Sequence, residues 1–364
     1  MIEKFCKKSF LILVLALFAA TFWATDHARG ETIMVEDMAG RSVSVESPVQ
    51  RIVCAGPGAL RLITYMNVQD KVVGVEEMEK DPTGRPYAYA NPSFKTLPVI
   101  GPGGPASINQ GPDPEATLSC NPDLIFITYM HKNNADRLQT KLGIPVVVLS
   151  YGDKMVSEEA VYRSFGLIGR IMDNSRRADD LVKFFEDMKK DLSSRAKGFD
   201  QETPSVYVGG IGHRGAHGIE STFRRYLPFE FLGIKSVARN LKGEYVLIDK
   251  EMLLVWDPDI IFVDGGGRHL VEEDIRKNPE FYKRLSAFKH GRVYLTLPYN
   301  YYTTNLGTCF ANAYFIGKVV IPSNFNDIDP EKKAEEIYSY LFGEEKRIYT
   351  KMKGSFGGLV AWHP

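Results

Sequence analysis

Cysteine is scarce in this 364-residue chain, which carries only Cys6, Cys54, Cys120 and Cys309. So sparse a set excludes the disulfide framework that staples small secreted domains, and leaves open only a single bridge among the last three. An excess of one charge is missing too, since 45 Lys and Arg stand against 45 Asp and Glu. Without a basic field there is no counterion-release drive toward a phosphate backbone, which excludes nucleic-acid partners. Neither a Gly-x-Ser-x-Gly elbow nor a His-Glu-x-x-His helix is present, so nothing argues positively for a hydrolase. Gly210-x-Gly212-x-x-Gly215 formally fits a dinucleotide fingerprint, but the helix start that such a loop needs is not evident. A secreted enzyme of unknown activity is the alternative from another class. With 44% hydrophobic and 25% charged residues, disorder and collagen-like structure are excluded as well.

What is present begins at the N-terminus. Lys4, Lys7 and Lys8 precede an apolar run from Phe10 to Ala20, too short to span a bilayer comfortably and followed by an Ala28-x-Gly30 cleavage pattern. Residues 1–30 therefore read as a secretory signal peptide cleaved near Gly30. An uncleaved anchor is the alternative, and it too places the remainder outside the cytoplasm. Cys6 precedes the apolar run, so it is not the lipid-bearing cysteine of a lipoprotein signal. The expected location is periplasmic.

Short β-branched runs at residues 51–55, 71–75, 123–128 and 145–150, and again at 205–209, 259–264 and 292–297, alternate with stretches long enough for helices. Their Ile and Val content indicates strands buried on both faces of parallel sheets. Between the two groups, Ser157 is a good N-cap for one helix. A second helix is expected over 176–197, with Ala178, Leu181, Val182, Phe185, Met188 and Leu192 on one face. At 1.5 Å per residue it makes a rod of roughly 33 Å. The predicted fold is α/β: two Rossmann-like lobes with parallel sheets joined by a long bridging helix. The predicted boundaries are an N-terminal lobe at 31–153, a helical bridge at 154–202, a C-terminal lobe at 203–328 and a C-terminal helix and tail at 329–364.

One segment is repeated. Asn121-Pro122-Asp123-Leu124-Ile125-Phe126-Ile127-Thr128 is echoed 136 residues later by Asp257-Pro258-Asp259-Ile260-Ile261-Phe262-Val263-Asp264. In each copy a glutamate, Glu115 or Glu251, stands seven positions before the proline, which ends a short helix and starts a buried strand. Duplicated lobes are the expectation.

These repeats, with Pro48, Arg51-Ile52-Val53, Gly74-Val75, Gly143-Ile144-Pro145-Val146, the closing Pro322-x2-Phe325-x-Asp327-Ile328 and a helix from Glu331 to Leu341, carry a resemblance over residues 31–343. The chain resembles the periplasmic substrate-binding proteins of ABC importers for iron complexes, haem and cobalamin. The resemblance implies a ligand held between two lobes, modest closure on binding, and no covalent chemistry. It also implies that Glu115 and Glu251 dock with arginines on the membrane-spanning permease subunits. No intrinsic cofactor is implied; the transported ligand is expected to be a metal chelate.

Ligands of open α/β sheets bind beyond the carboxyl ends of the strands, which nominates the loops there. Tyr299, Tyr301 and Tyr302 follow the last strand, and their rings suit stacking on a planar chelate or macrocycle. Tyr87 and Tyr89 lie beside Arg85 in a Pro-punctuated loop. Arg85, Arg214 and Arg268 are candidates to pair with acidic groups of the ligand. Tyr129 and His131 follow one repeat strand and His269 the other, so the two histidines are candidate axial ligands facing each other across the cleft. His213 and His217 sit among glycines that argue against a helical metal pair. A receptor for bare zinc or manganese is the alternative. It needs three or four converging ligands, and the loops are richer in Gly and Tyr than in His, Asp and Glu.

Overall fold

The β-branched runs form parallel strands because side chains on both faces of each sheet find apolar cover. The computed structural model describes residues 31–153, 156–198 and 204–364; the leader read at 1–30 lies outside the described residues. A hairpin of β1 (Glu31–Glu36) and β2 (Ser42–Ser47) opens the chain. The first sheet holds β3 (Ile52–Ala55), β4 (Val72–Gly74), β5 (Leu124–Thr128) and β6 (Val146–Leu149), all parallel, in the order β4-β3-β5-β6. Between its strands run α1 (Ala59–Tyr65), α2 (Pro86–Ala90), α3 (Pro114–Ser119) and α4 (Lys132–Leu142).

The chain then enters α5 (Glu158–Ile171), capped by the Ser157 hydroxyl accepting from Ala160 N as expected, and α6 (Ser175–Arg195). On α6 the residues Ala178, Leu181, Phe185, Met188 and Leu192 are buried, the stripe that helical periodicity demands. The second sheet opens with β7 (Val206–Gly209), followed by β8 (Ser221–Phe223) and β9 (Tyr245–Leu247), which pair antiparallel with the short helix α7 (Leu227–Glu230) in the connection between them. The short helix α8 (Lys250–Trp256) leads to β10 (Ile260–Asp264); α9 (Arg268–Lys277) leads to β11 (Val293–Thr296). After α10 (Leu306–Val320), α11 (Pro330–Phe342) and α12 (Ile348–Phe356), the chain returns as β12 (Val360–Ala361), antiparallel on the edge of β11. The sheet order is β7-β10-β11-β12.

The duplication is visible in detail. β5 lies between β3 and β6 as β10 lies between β7 and β11. In each copy a helix capped by an aspartate side chain, Asp113 or Asp249, precedes the strand. The turn between them passes through positive φ, +46° at Asn121 and +38° at Asp257. The Asp of each Pro-Asp pair then holds the start of the neighbouring strand: Asp123 Oδ2 accepts from Gln50 N and Arg51 N, both at 2.8 Å, and Asp259 Oδ2 from Ser205 N and Oγ, both at 2.8 Å.

Strand alternation divides the core. Outward residues such as Val53, Ile125 and Ile127 form a separate cluster in the first lobe, and Tyr207, Ile261 and Val263 in the second. Inward residues Ile52, Phe126, Val206 and Phe262 join the bridging helices and α10 in one continuous core. Phe185 of α6 stacks on Phe310 of α10 at 5.5 Å. The bridging helices and α10 thus join the two sheets through one core.

The β1–β2 hairpin buries Val35, Val43 and Val45, the last two at alternate positions of β2 with exposed residues between them. Strand β12 had no comparable pattern, because two residues make no period. Cys54, Cys120 and Cys309 are free and buried, which settles the open question of a bridge. No helix among the described residues is long and apolar enough to cross a membrane.

Candidate functional site

The loop after β11 is laid against the N-terminal lobe, and the residues that hold it define the site. Tyr302 donates from its hydroxyl to Glu76 Oε2 at 2.6 Å and accepts from Gly104 N at 3.0 Å. Tyr129, after β5, meets Thr303 Oγ1 at 2.9 Å. Asn305 Nδ2 donates to Gly84 O at 2.9 Å. The deepest contact is Arg61 of α1, 0% exposed, which donates to Thr304 O at 2.8 Å, Tyr301 O at 2.9 Å and Tyr302 O at 3.3 Å. Its guanidinium also lies 5.1 Å from the Tyr87 ring centre. Backbone at Tyr302 and Thr303 is held at φ of +52° and +68°, a conformation that costs a β-branched residue and persists only under such over-determination.

Around Arg61 the site is rich in charge. Arg85, 1% exposed, places Nη1 3.7 Å from Glu79 Oε2, donates through Nη2 to Asp81 O, and sits 5.4 Å from the Tyr301 ring centre. Tyr87 is buried, with its hydroxyl shared between Glu79 Oε2 at 2.7 Å and Oε1 at 2.9 Å. Burial pushes the Glu76 carboxyl up to about 7 against the opposing bond from Tyr302, and burial also raises Glu79 against the pull of Arg85. Asp264, at the end of β10, anchors the loop from behind by accepting from Tyr299 N at 2.7 Å and Gly266 N at 2.9 Å. Burial raises its carboxyl to about 7 as well.

Of the residues singled out from sequence, Arg85, Tyr87, Tyr129, Tyr301 and Tyr302 are brought together here. Tyr299 is not presented to the junction. Its ring is buried in the C-terminal lobe, 4.8 Å from Tyr226 and 5.6 Å from Phe223, because Asp264 fixes its backbone inward. His213 stacks on Tyr245 at 4.3 Å, and Tyr245 in turn packs against Phe223. Burial first, then Arg214 and His217, lowers the basicity of His213. Arg214 is exposed at φ +56°. Arg268 spends its Nε on Glu272 Oε1 at 2.7 Å along α9. His131 and His269 stand exposed at the starts of α4 and α9. Among the described residues no three His, Cys, Asp or Glu side chains are grouped to hold a metal ion. Glu115 and Glu251 are exposed at matching second positions of α3 and α8.

Sequence reading missed Arg61, Glu76 and Glu79. A signal for Arg61 existed: a lone cation inside Ala59-Leu60-Arg61-Leu62-Ile63, immediately after the glycines that follow β3. The glutamates carried none, because Glu76-Glu77-Met78-Glu79 reads as a solvated acidic run.

The model of the family described as periplasmic binding protein matches residues 52–299. The molybdate-binding protein MolA of Haemophilus influenzae is 22% identical over 330 residues, 85% of this chain and 90% of that protein. An uncharacterized ABC transporter substrate-binding lipoprotein, YvrC of Bacillus subtilis, is 23% identical over 72% of this chain and 77% of its own length. The solved structure of MolA bound to molybdate superposes with a TM-score of 0.69 at 19% identity, covering 85% of this chain and 98% of that one. These relatives are solute-binding proteins rather than enzymes. Two parallel α/β lobes, loops meeting at the strand ends and the family match lead to one conclusion: the chain belongs to the periplasmic binding proteins, as a substrate-binding protein of an ABC transporter.

Proposed function

We propose that this protein captures a metal complex, a ferric siderophore, haem or corrinoid, in the crevice between its lobes and delivers it to the permease of an ABC importer. The observation that carries the reading is the sharing of one junction by Tyr129 from the N-terminal lobe and Tyr301 and Tyr302 from the C-terminal lobe. Flat rings with polar tips on both walls suit a planar or chelated guest. In this reading Glu115 and Glu251, one on each lobe, meet cationic groups of the permease subunits and set the orientation of delivery.

Likeness to a molybdate-binding protein in both sequence and fold favours a second reading, a small metal oxyanion. Mass spectrometry and metal analysis of the natively purified protein, with its absorption spectrum, separate the two. A retained organic chelate with a visible chromophore is the expected result. Molybdenum or tungsten without an organic partner moves the assignment to the oxyanion, and stoichiometric zinc or manganese without a chromophore overturns both.

A further inference from the structure

We propose that the last helix and strand of the chain form a clasp across the rim of the cleft, fixed in the C-terminal lobe and released from the N-terminal lobe at Tyr89 when the lobes part. The inference concerns the motion of the lobes and holds whatever the solute is. Its starting point is Tyr89, which stands beside Arg85 and Tyr87 in sequence but whose hydroxyl meets Ser355 Oγ of α12 at 2.9 Å. From the same helix, Lys351 Nζ donates to Tyr89 O at 3.3 Å. Tyr89 belongs to α2, which carries Tyr87 and follows directly on Arg85. The last helix therefore holds an element that forms one wall of the site.

The two ends of the clasp are attached unequally. In the C-terminal lobe, β12 pairs with β11 at Tyr294 with Ala361 and at Leu295 with Val360. Trp362 N donates to Val293 O at 2.8 Å, and the Trp362 side chain is buried in the cluster that holds Tyr207, Ile261 and Val263. Phe356 lies against Gly265, the first glycine after β10, where a Cβ would come within 2.9 Å of Phe356 Cβ. Strand pairing and a buried indole are not surrendered in a motion that leaves the lobe folded.

Toward the N-terminal lobe the hold is weaker. It consists of the two hydrogen bonds from the exposed residues Lys351 and Ser355, together with Ala88 and Ala90, which α2 adds to the core that also contains Ile348 and Met352 of α12. Exposed hydrogen bonds exchange with water at little net cost, and alanine buries little apolar area. The end that can let go is the one on the opposite lobe.

Sequence explains how one short segment reaches both. Gly357 and Gly358 follow α12 with φ of +89° and +84°, angles that favour glycine, and they turn the chain from the helix back to the sheet edge. A Cβ on Gly357 would stand 2.7 Å from Arg268 Nη1, so the turn sits on the start of α9. The clasp thus runs from α2 of one lobe to the loop after β10 of the other. A tail that served only to cover the edge of β11 would make its contacts within one lobe.

The test is the distance between spin labels at Arg137→Cys on α4 and Lys277→Cys on α9, one exposed position in each lobe, measured by pulsed electron spin resonance; Cys54, Cys120 and Cys309 are buried. The unaltered clasp is expected to give mainly one short distance. Lys351→Ala with Ser355→Ala should raise the share of longer distances about three-fold or more. Tyr89→Phe removes the Ser355 bond from the other lobe, so Tyr89→Phe and Ser355→Ala should give equal shifts, and their combination no more than either alone. Thermal melts show that each variant is folded. Distances unchanged by these substitutions in folded protein overturn the clasp, as do an unaltered chain already spread over long distances and a Ser355→Ala shift that Tyr89→Phe doubles. None of these outcomes touches the receptor reading, which the solute retained on native purification decides.

Discussion

Up to the last residue of the strand, the unit around β5 and the unit around β10 are built alike. An aspartate caps the preceding helix, a positive-φ residue turns the chain, and a second aspartate grips the neighbouring strand. Immediately beyond, they differ. After β5, Thr128 is followed by Tyr129, whose side chain crosses to Thr303 of the other lobe. At the end of β10, Asp264 turns inward and fixes Tyr299 and Gly266, the second of the three glycines that follow it. A duplicated frame has thus kept its supporting hydrogen bonds and changed only the residues at the open end. The contrast is confined to the strand ends: one lobe supplies reach through Tyr129, and the other supplies a loop held by Asp264.

The largest expected effect tests the feature the two units share on their surface. Reversing charge with Glu115→Lys and Glu251→Lys together is expected to abolish solute uptake in cells while leaving the solute affinity of the purified protein within about two-fold, as for exposed groups remote from a buried site. Each single reversal should give a partial loss. Full transport by the double variant removes the docking role from both helices.

Next comes the position at which the units are least alike. Gly267 and His131, 136 residues apart, occupy the same place at the start of the helix after the strand. A Cβ on Gly267 meets Gly210 O at 2.2 Å and His217 O at 2.3 Å, both backbone atoms that cannot rotate away. Gly267→Ala is expected to cost about 3 kcal/mol, whereas His131→Ala, at an exposed cap without a side-chain bond, stays within about 0.5 kcal/mol. Urea denaturation of both variants measures the contrast, and equal losses would mean that the close approach of the two C-terminal-lobe loops relaxes freely.

The smallest effect sharpens the likeness. Asp123→Ala and Asp259→Ala each remove a carboxylate that accepts two hydrogen bonds at 2.8 Å near the surface, and each should cost about 1 kcal/mol. Matched losses in thermal melts support one inherited device serving both lobes. A loss confined to one lobe shows that only that lobe still depends on it.

Much of the frame was legible before any coordinates. The seven β-branched runs became seven parallel strands, and the helix expected at 176–197 spans Ser175–Arg195. The site was legible only in part. Tyr301 and Tyr302 reached the junction, but Tyr299, two residues earlier on the same loop, was drawn into the C-terminal lobe by Asp264 and Tyr226. No local pattern distinguishes those three tyrosines; the partner that separates them lies 35 residues away in sequence.

Periodicity and the repeated Pro-Asp segments determined by themselves the strands, the bridge and the existence of two related lobes, because each follows from the spacing of apolar residues along one stretch of chain. Only the tertiary structure decided that Arg61 of the first lobe closes on the carbonyls of residues 301–304. It alone also placed Glu76 and Glu79 out of water, and made the last two strand residues, Val360 and Ala361, an edge of the second sheet. Burial and hydrogen-bond partnership across 240 residues depend on how the lobes face each other, and that geometry is a property of the packed core, not of any local run of sequence.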